Sequence, residues 1–333
     1  MDISLVAAPF LLAAPAAGVM GFAIQRGATC TVAAVDEVIT RRSLRRLASL
    51  VEAAVWVAGG LLLAQMLGRL PSMPAGYALS GWTVLGGALL GLGAFINRAC
   101  VFGAIARFGS GEWVYLVTPL GFYVGCLSAG PAFAMPSPQK LPYGSPVLQA
   151  PAWAAALFVL FVIGRLAWLF WPGGPRAAKV PLAERVRSVM ASRIWSPHAA
   201  TTIIGITFCC MLMLVGAWAY TDVLAELAHG MAASLLARGL LLLALMLGAA
   251  WGGWTAGRFR STRITAAQAV QCFVGGVLMG WGSLLIPGGN DGLILVGMPL
   301  LWPYAWVAFA AMCLAIGSAQ LALKVRAPRG ARP

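Results

Sequence analysis

Nine apolar runs follow one another along the chain, at roughly 4–24, 47–68, 79–96, 113–132, 150–172, 201–220, 233–255, 267–287 and 302–323. About 20 mostly apolar residues are enough for a helix to cross the hydrocarbon of a bilayer, so the pattern predicts nine transmembrane helices. Two shorter apolar stretches, 27–39 and 99–108, cannot span and read as re-entrant or interfacial helices. The first run follows Asp2 and no basic residue, which argues against a signal peptide.

Composition sharpens this picture. Of 333 residues, 61% are apolar and 10% charged, with a mean hydropathy of +0.87. Soluble domains carry about 25% charged residues, and a soluble fold of this chain would expose far too much hydrocarbon. A soluble enzyme, a secreted disulfide scaffold and a nucleic-acid-binding domain are excluded as classes. The expected fold is all-α and polytopic, with the lipid bilayer as its main partner.

The net charge of +14 is scattered through short loops. Alternate segments hold 19 of the basic residues, including Arg41, Arg42, Arg45, Arg46, Lys179 and Arg258, whereas the opposite set holds Arg69 and Lys140. Basic residues favour cytoplasmic loops, so this asymmetry predicts an external N-terminus and a cytoplasmic C-terminus. Arg165 and Arg238 lie within runs, as does Glu52, for which a local pair with Arg45 is expected. Asp36 and Glu37 are expected to pair with Arg41 or Arg42, and His198 and His229 to lie in loops without a cluster.

The pattern divides the chain into a membrane half over 1–172, a basic linker over 173–200 and a second membrane half over 201–333. In the linker Leu182, Val186, Met190 and Ile194 recur at helical spacing, as in an amphipathic helix on an anionic leaflet. The Pro-rich connection over 133–148 reads as an extended external loop.

A glycine pattern recurs without a gap. Gly86-Gly87-Ala88-Leu89-Leu90-Gly91-Leu92-Gly93 matches Gly275-Gly276-Val277-Leu278-Met279-Gly280-Trp281-Gly282 at an offset of 189. Glycines in membrane helices ordinarily mark close helix packing. The predicted sidedness places the two copies on spans of opposite direction, the inverted-repeat arrangement common in transporters. After each copy the helix is expected to break, at Asn97-Arg98-Ala99-Cys100 and at Pro287-Gly288-Gly289-Asn290-Asp291-Gly292. Broken helices at membrane depth need a cavity or protein to satisfy their backbone, and free helix N-termini favour anions.

The segment Gly21-Phe22-Ala23-Ile24-Gln25-Arg26-Gly27-Ala28-Thr29-Cys30, the Cys100 segment with Arg107-Phe108-Gly109-Ser110-Gly111, and the second glycine copy together resemble the YeeE/YedE family of bacterial inner-membrane sulfur-compound transporters. The resemblance implies thiosulfate uptake past cysteines on short helices meeting in mid-membrane. Cys30 and Cys100 match the first two cysteine motifs. Gly289 stands where the third motif, G-G-C-x-x-G, has its cysteine. The expected pathway residues are Cys30, Cys100, Gln25, Arg26, Asn97, Arg98, Gly288, Gly289, Asn290 and Asp291.

For Cys126, Cys209, Cys210, Cys272 and Cys313, packing is expected. With no C-x-x-C and no zinc spacing among the seven cysteines, neither a metal nor a cofactor is expected. Asn290 and Asp291 are read first as N-capping residues. The leading expectation is a permease for a small sulfur oxyanion. Two alternatives are a membrane thiol redox protein and a non-transporting subunit that docks a small cytoplasmic sulfur-carrier protein.

Overall fold

The computed structural model describes residues 8–132, 138–170, 184, 192–229 and 235–326. The described residues form helices and connections without a strand; an isolated bridge joins Tyr77 and Lys140. The first part holds α1 (Ala8–Gly27), α2 (Thr31–Arg41), α3 (Arg45–Met66), α4 (Gly81–Ile96), α5 (Val101–Gly109), α6 (Val117–Ala132) and α7 (Ala152–Phe170). The second holds α8 (Pro197–Val215), α9 (Tyr220–Ala228), α10 (Leu235–Thr255), α11 (Ala266–Leu285), α12 (Asn290–Gly292) and α13 (Pro303–Arg326). A π-helical turn, Leu293–Gly297, continues α12.

Eight helical stretches among the described residues are long and apolar enough to cross a membrane, so the chain is a multi-pass membrane protein. The run at 150–172 falls on α7, whose apolar stretch Ala152–Ala167 is shorter. The short stretches at 27–39 and 99–108 become α2 and α5. Hydropathy does not anticipate α9 and α12. The run at 201–220 is interrupted: α8 stops at Val215, Gly216 takes φ +84°, and α9 restarts at Tyr220. Apolar Ala217, Trp218 and Ala219 keep the hydropathy high across that break. Most of the expected amphipathic linker helix lies outside the described residues.

Element boundaries recur at the offset of the glycine pattern. α2 and α9 begin at Thr31 and Tyr220, and α5 and α12 at Val101 and Asn290. Packing is reciprocal: α1 lies on α10 and α8 on α3, while α4 lies on α13 and α11 on α6. α1 also packs on α8, and α4 on α11. Helix α7 stands between the two recurring blocks.

The paired glycines explain these contacts. A Cβ on Gly86 would lie 2.9 Å from the Gly282 carbonyl oxygen, and one on Gly93 would lie 2.6 Å from that of Gly275. As the position rises on α4 it falls on α11, so these helices cross antiparallel. The other glycines of each copy face outward from that pair. Gly87 and Gly91 admit the backbone of α13 at Ala308 and Met312, and Gly276 and Gly280 admit α6 at Thr118 and Phe122. Close backbone approach is what small residues allow between membrane helices, where dispersion replaces the hydrophobic effect.

Charges within the helices find partners other than those expected. Glu52 accepts from Arg165 of α7 at 2.7 Å and also contacts His198, so Arg45 is not its partner and His198 does not stand alone. Arg238 pairs with Glu226. Glu37 pairs with Arg46 at 3.1 Å, and Asp36 lies 3.7 Å from Lys324, in place of Arg41 and Arg42. The reason is local: Arg42 takes a left-handed φ of +51°, which turns the chain into α3 and brings Arg46 back over α2.

Helix α7 is fastened to α3 by the Glu52–Arg165 pair and by Phe158, which occupies the space over Gly59 and meets Trp56 edge-on. Removing one partner of a shielded ion pair strands the other at a cost of about 1–3 kcal/mol. Glu52→Ala is therefore expected to lower the thermal midpoint of the detergent-solubilised protein by several degrees. The double variant Glu52→Leu/Arg165→Leu should recover most of that loss; an unchanged midpoint for Glu52→Ala would show the pair contributes nothing.

Candidate functional site

Four breaks separate a long helix from a short one, and the residue before each short helix is Cys30, Cys100, Ala219 or Gly289. All four have extended backbone, and none supplies a side-chain cap to its own helix. The first N–H groups of a helix have no partner within it, and away from water each must find one elsewhere.

Here the partners come from neighbouring short helices. The Thr31 N–H at the start of α2 donates to Cys100 Sγ at 3.1 Å. At the start of α5, the Val101 N–H donates to Asn290 Oδ1 at 3.2 Å. On α9 the Thr221 N–H donates to Asp291 Oδ2 at 3.1 Å, and the Thr221 hydroxyl donates to Asp291 Oδ1. Asn290 and Asp291 do cap helices, but the helices of their neighbours. Gly289 holds the N-cap position of α12 itself.

The two thiols meet in this cluster. Cys30 faces Cys100, and both are free. Cys100 is fully buried. Cys30 lies over Gly103, where a Cβ would fall 2.6 Å from its sulfur. Two buried donors beside them have no partner among the described residues: the Thr31 hydroxyl and Asn290 Nδ2. Because Asn290 Oδ1 is held at the start of α5, its planar carboxamide keeps Nδ2 beside the same helix start.

The remaining expected residues divide by position. Asn97 is buried and staples its break, donating to the Ala99 carbonyl at 2.7 Å and accepting from Thr118 at 2.9 Å. Arg98 is exposed with φ +57°, and Gly288 takes φ +135°. Arg26 is buried, but its guanidinium reaches Thr255 at 2.8 Å and the Ser192 carbonyl, and stacks over Phe22. The expected four-residue helical spacing between Arg26 and Cys30 does not exist. α1 ends at Gly27, and Ala28 turns with φ +46°. Gln25 is buried and donates to Ser110 at 3.3 Å. Arg26 and Gln25 thus tie α1 to neighbouring segments.

Sequence reasoning missed Thr31, Thr221 and Asp222. The last two were within reach, since the offset of 189 carries the Cys30 break onto Ala219. The same offset carries Cys100 onto Gly289, and there the structure shows why no larger side chain stands. A Cβ on Gly289 would lie 2.4 Å from Thr221 Oγ1 and 2.7 Å from Thr221 Cβ. Thr221 fills the space over Gly289.

One cavity borders the first break and another the fourth. A small one of about 10 Å³ is lined by Ala28, Thr29, Cys30, Arg46 and Ser49. A larger one of about 280 Å³ is lined by Tyr77, Ser80, Thr83, Gln139, Pro287 and Tyr304. Among the described residues no group of three His, Cys, Asp or Glu side chains is placed to hold a metal ion.

No curated protein matches the chain. The family model described as Sulphur transport matches residues 26–318, nearly the whole chain and all four breaks. The chain belongs to this family, YeeE/YedE, and is a sulfur-related membrane transporter.

Proposed function

We propose that the protein is a permease for a small inorganic sulfur-containing anion, thiosulfate or a close relative, which passes between the starts of α2, α5 and α9. The observation that carries this reading is the pair of buried donors without a partner among the described residues, the Thr31 hydroxyl and Asn290 Nδ2, beside the thiols of Cys30 and Cys100. A buried donor left without an acceptor costs about 1–3 kcal/mol, and an oxyanion supplies that acceptor.

Helix N-termini add positive potential to the same place. The thiols are weak S–H donors and offer a soft, polarizable surface to a sulfur atom. Weak successive contacts permit passage, where one deep site would trap the ion. Asn97 positions the Cys100 turn, and Gly288 and Gly289 let the backbone of the second copy approach. Arg26 and Gln25 hold the end of α1 in place, and Arg98 acts at long range.

The antiparallel crossing of α4 and α11 and the recurrence at 189 residues support two halves related as an inverted repeat. The basic asymmetry supports a bacterial inner membrane location, with the N-terminus outside and the C-terminus in the cytoplasm. The small cavity at Cys30 then faces the cytoplasm and the larger one faces outside. The basic inner loops suit docking of a small cytoplasmic sulfur-carrier protein. Thiol contact also favours a second reading, in which Cys30 and Cys100 cycle between dithiol and disulfide.

Cys100→Ser tests the thiol directly, because a hydroxyl keeps an acceptor for the Thr31 N–H while removing the soft sulfur. The variant is expected to fold with an unchanged thermal midpoint. Its uptake of labelled thiosulfate into proteoliposomes should fall about tenfold or more, a barrier change of about 1.4 kcal/mol. Wild-type flux in this variant would defeat the thiol path. Should wild-type flux instead stop under diamide and return with dithiothreitol while Cys100→Ser is inert to both, the redox reading gains.

Gly289→Cys is expected to cost about 1–3 kcal/mol through overpacking against Thr221, seen as a lower thermal midpoint. Adding Thr221→Gly should recover part of it. A stable single variant would show that the second copy has room for a thiol.

A further inference from the structure

The path described so far leaves two carboxylates unused. Asp291 is buried, and its oxygens accept from the Thr221 N–H and hydroxyl and from backbone N–H groups at the start of its own helix. Asp222, one residue along α9, faces the same turn: a Cβ on Gly292 would lie 3.8 Å from its Oδ1. The groups that act on Asp222 are Asp291 from α12, Glu226 from its own helix, Arg238 from α10, Tyr304 from α13 and Tyr77 from the 67–80 connection. Tyr220 faces Asp291. Arg238, the basic group of that set, already donates to both oxygens of Glu226. The two carboxylates therefore lie on contacting short helices, α9 and α12, and the cation near them is balanced by a third carboxylate.

Like charges that face one another at low dielectric oppose joint ionisation. Ionisable residues at membrane depth are costly unless they function. The second, independent observation is Asn290, fully buried with Nδ2 unpartnered, on the residue adjoining Asp291. Its free donor calls for an anion at a point where an ionised Asp291 would repel one.

We infer that Asp222 and Asp291 form a proton-holding pair, that an anion occupies the station at Asn290 only while the pair carries its proton, and that transport is thereby coupled to proton movement in the same direction. The inference rests on the permease reading for the anion. Tyr77 and Tyr304 line the larger cavity and lie in electrostatic reach of Asp222, so protons reach the pair from that side. No bond is made or broken other than O–H: a carboxylate takes a proton from water on one side and returns it on the other.

The test uses full-length protein in proteoliposomes with a trapped pH dye. Labelled thiosulfate uptake by the wild type should rise severalfold when the interior is made alkaline, and thiosulfate addition should acidify the interior. Asp222→Asn and Asp291→Asn keep the pocket's shape and remain neutral. Each should retain thiosulfate counterflow while losing both the pH-gradient response and the dye signal. Thiosulfate flux without a gradient response in the wild type, or an undiminished dye signal in both variants, overturns the proposal.

A second readout needs no substrate. A hydrophobic carbodiimide modifies protonated carboxyls, so peptide mass spectrometry should find labelling at Asp222 or Asp291 at pH 7 that declines as the pH rises. Absence of label at both sites, with label on an engineered buried carboxyl as control, overturns the proton pair. Label without any thiosulfate movement upholds the pair and sinks the permease reading instead.

Discussion

Helix starts placed out of reach of water set the terms for the rest of this structure. A long helix in a bilayer satisfies its own backbone, but each break exposes a fresh set of N–H groups with nothing to receive them. Ordinary proteins cap such starts with a Ser, Asp or Asn of the same helix. This chain puts Cys, Cys, Ala and Gly there instead, and borrows the acceptors from other short helices: Cys100 for α2, Asn290 for α5, Asp291 for α9. The consequence is that no short helix is complete alone. Removing one acceptor loosens a neighbour as well as its own turn, which couples the four breaks into a single unit.

That exchange also accounts for why the two copies differ. The offset that superimposes their backbones pairs Cys100 with Gly289 and Cys30 with Ala219, so one copy presents thiols and the other presents none. The volume is not empty. Thr221 moves into the space over Gly289, and its hydroxyl and N–H bind Asp291, so the second copy is organised by a carboxylate and a hydroxyl where the first is organised by sulfur. Helix starts related by one sequence offset thus carry different chemistry, thiols in one copy and a carboxylate with a hydroxyl in the other.

Much of the scaffold was legible in the sequence because the bilayer reduces fold prediction to a question of length and polarity. Apolar runs mark the long helices closely, and the glycine recurrence marks the helix pairs that pack most tightly. The short helices were legible only where a charge or a glycine cluster interrupted the run, as at Arg26–Gly27 and Asn97–Arg98. At α9 the break is written in Gly216 alone, between apolar residues, and hydropathy reads straight through it. Site residues were legible by cysteine motif. Thr31 was not, and Thr221 and Asp222 were within reach only through the offset of 189, because their importance comes from facing residues 69 or 70 positions away, and no local pattern encodes that. Arg26 shows the opposite error: adjacent to Cys30 in sequence, it is turned away from it by the left-handed Ala28 and spent on Thr255 and Ser192.

The larger cavity holds several waters and reaches Pro287 at the edge of the second copy, whereas the one beside Cys30 has room for about one. On the permease reading, an ion entering by the wide side meets the hydroxyls of Tyr77, Ser80, Thr83 and Tyr304 before it meets sulfur. The Thr31 N–H, which donates to Cys100 in this conformation, would on that reading have two alternative acceptors, the thiol and the ion. An anion would then offset part of the cost of giving up the capping bond, a cost that an empty path bears in full.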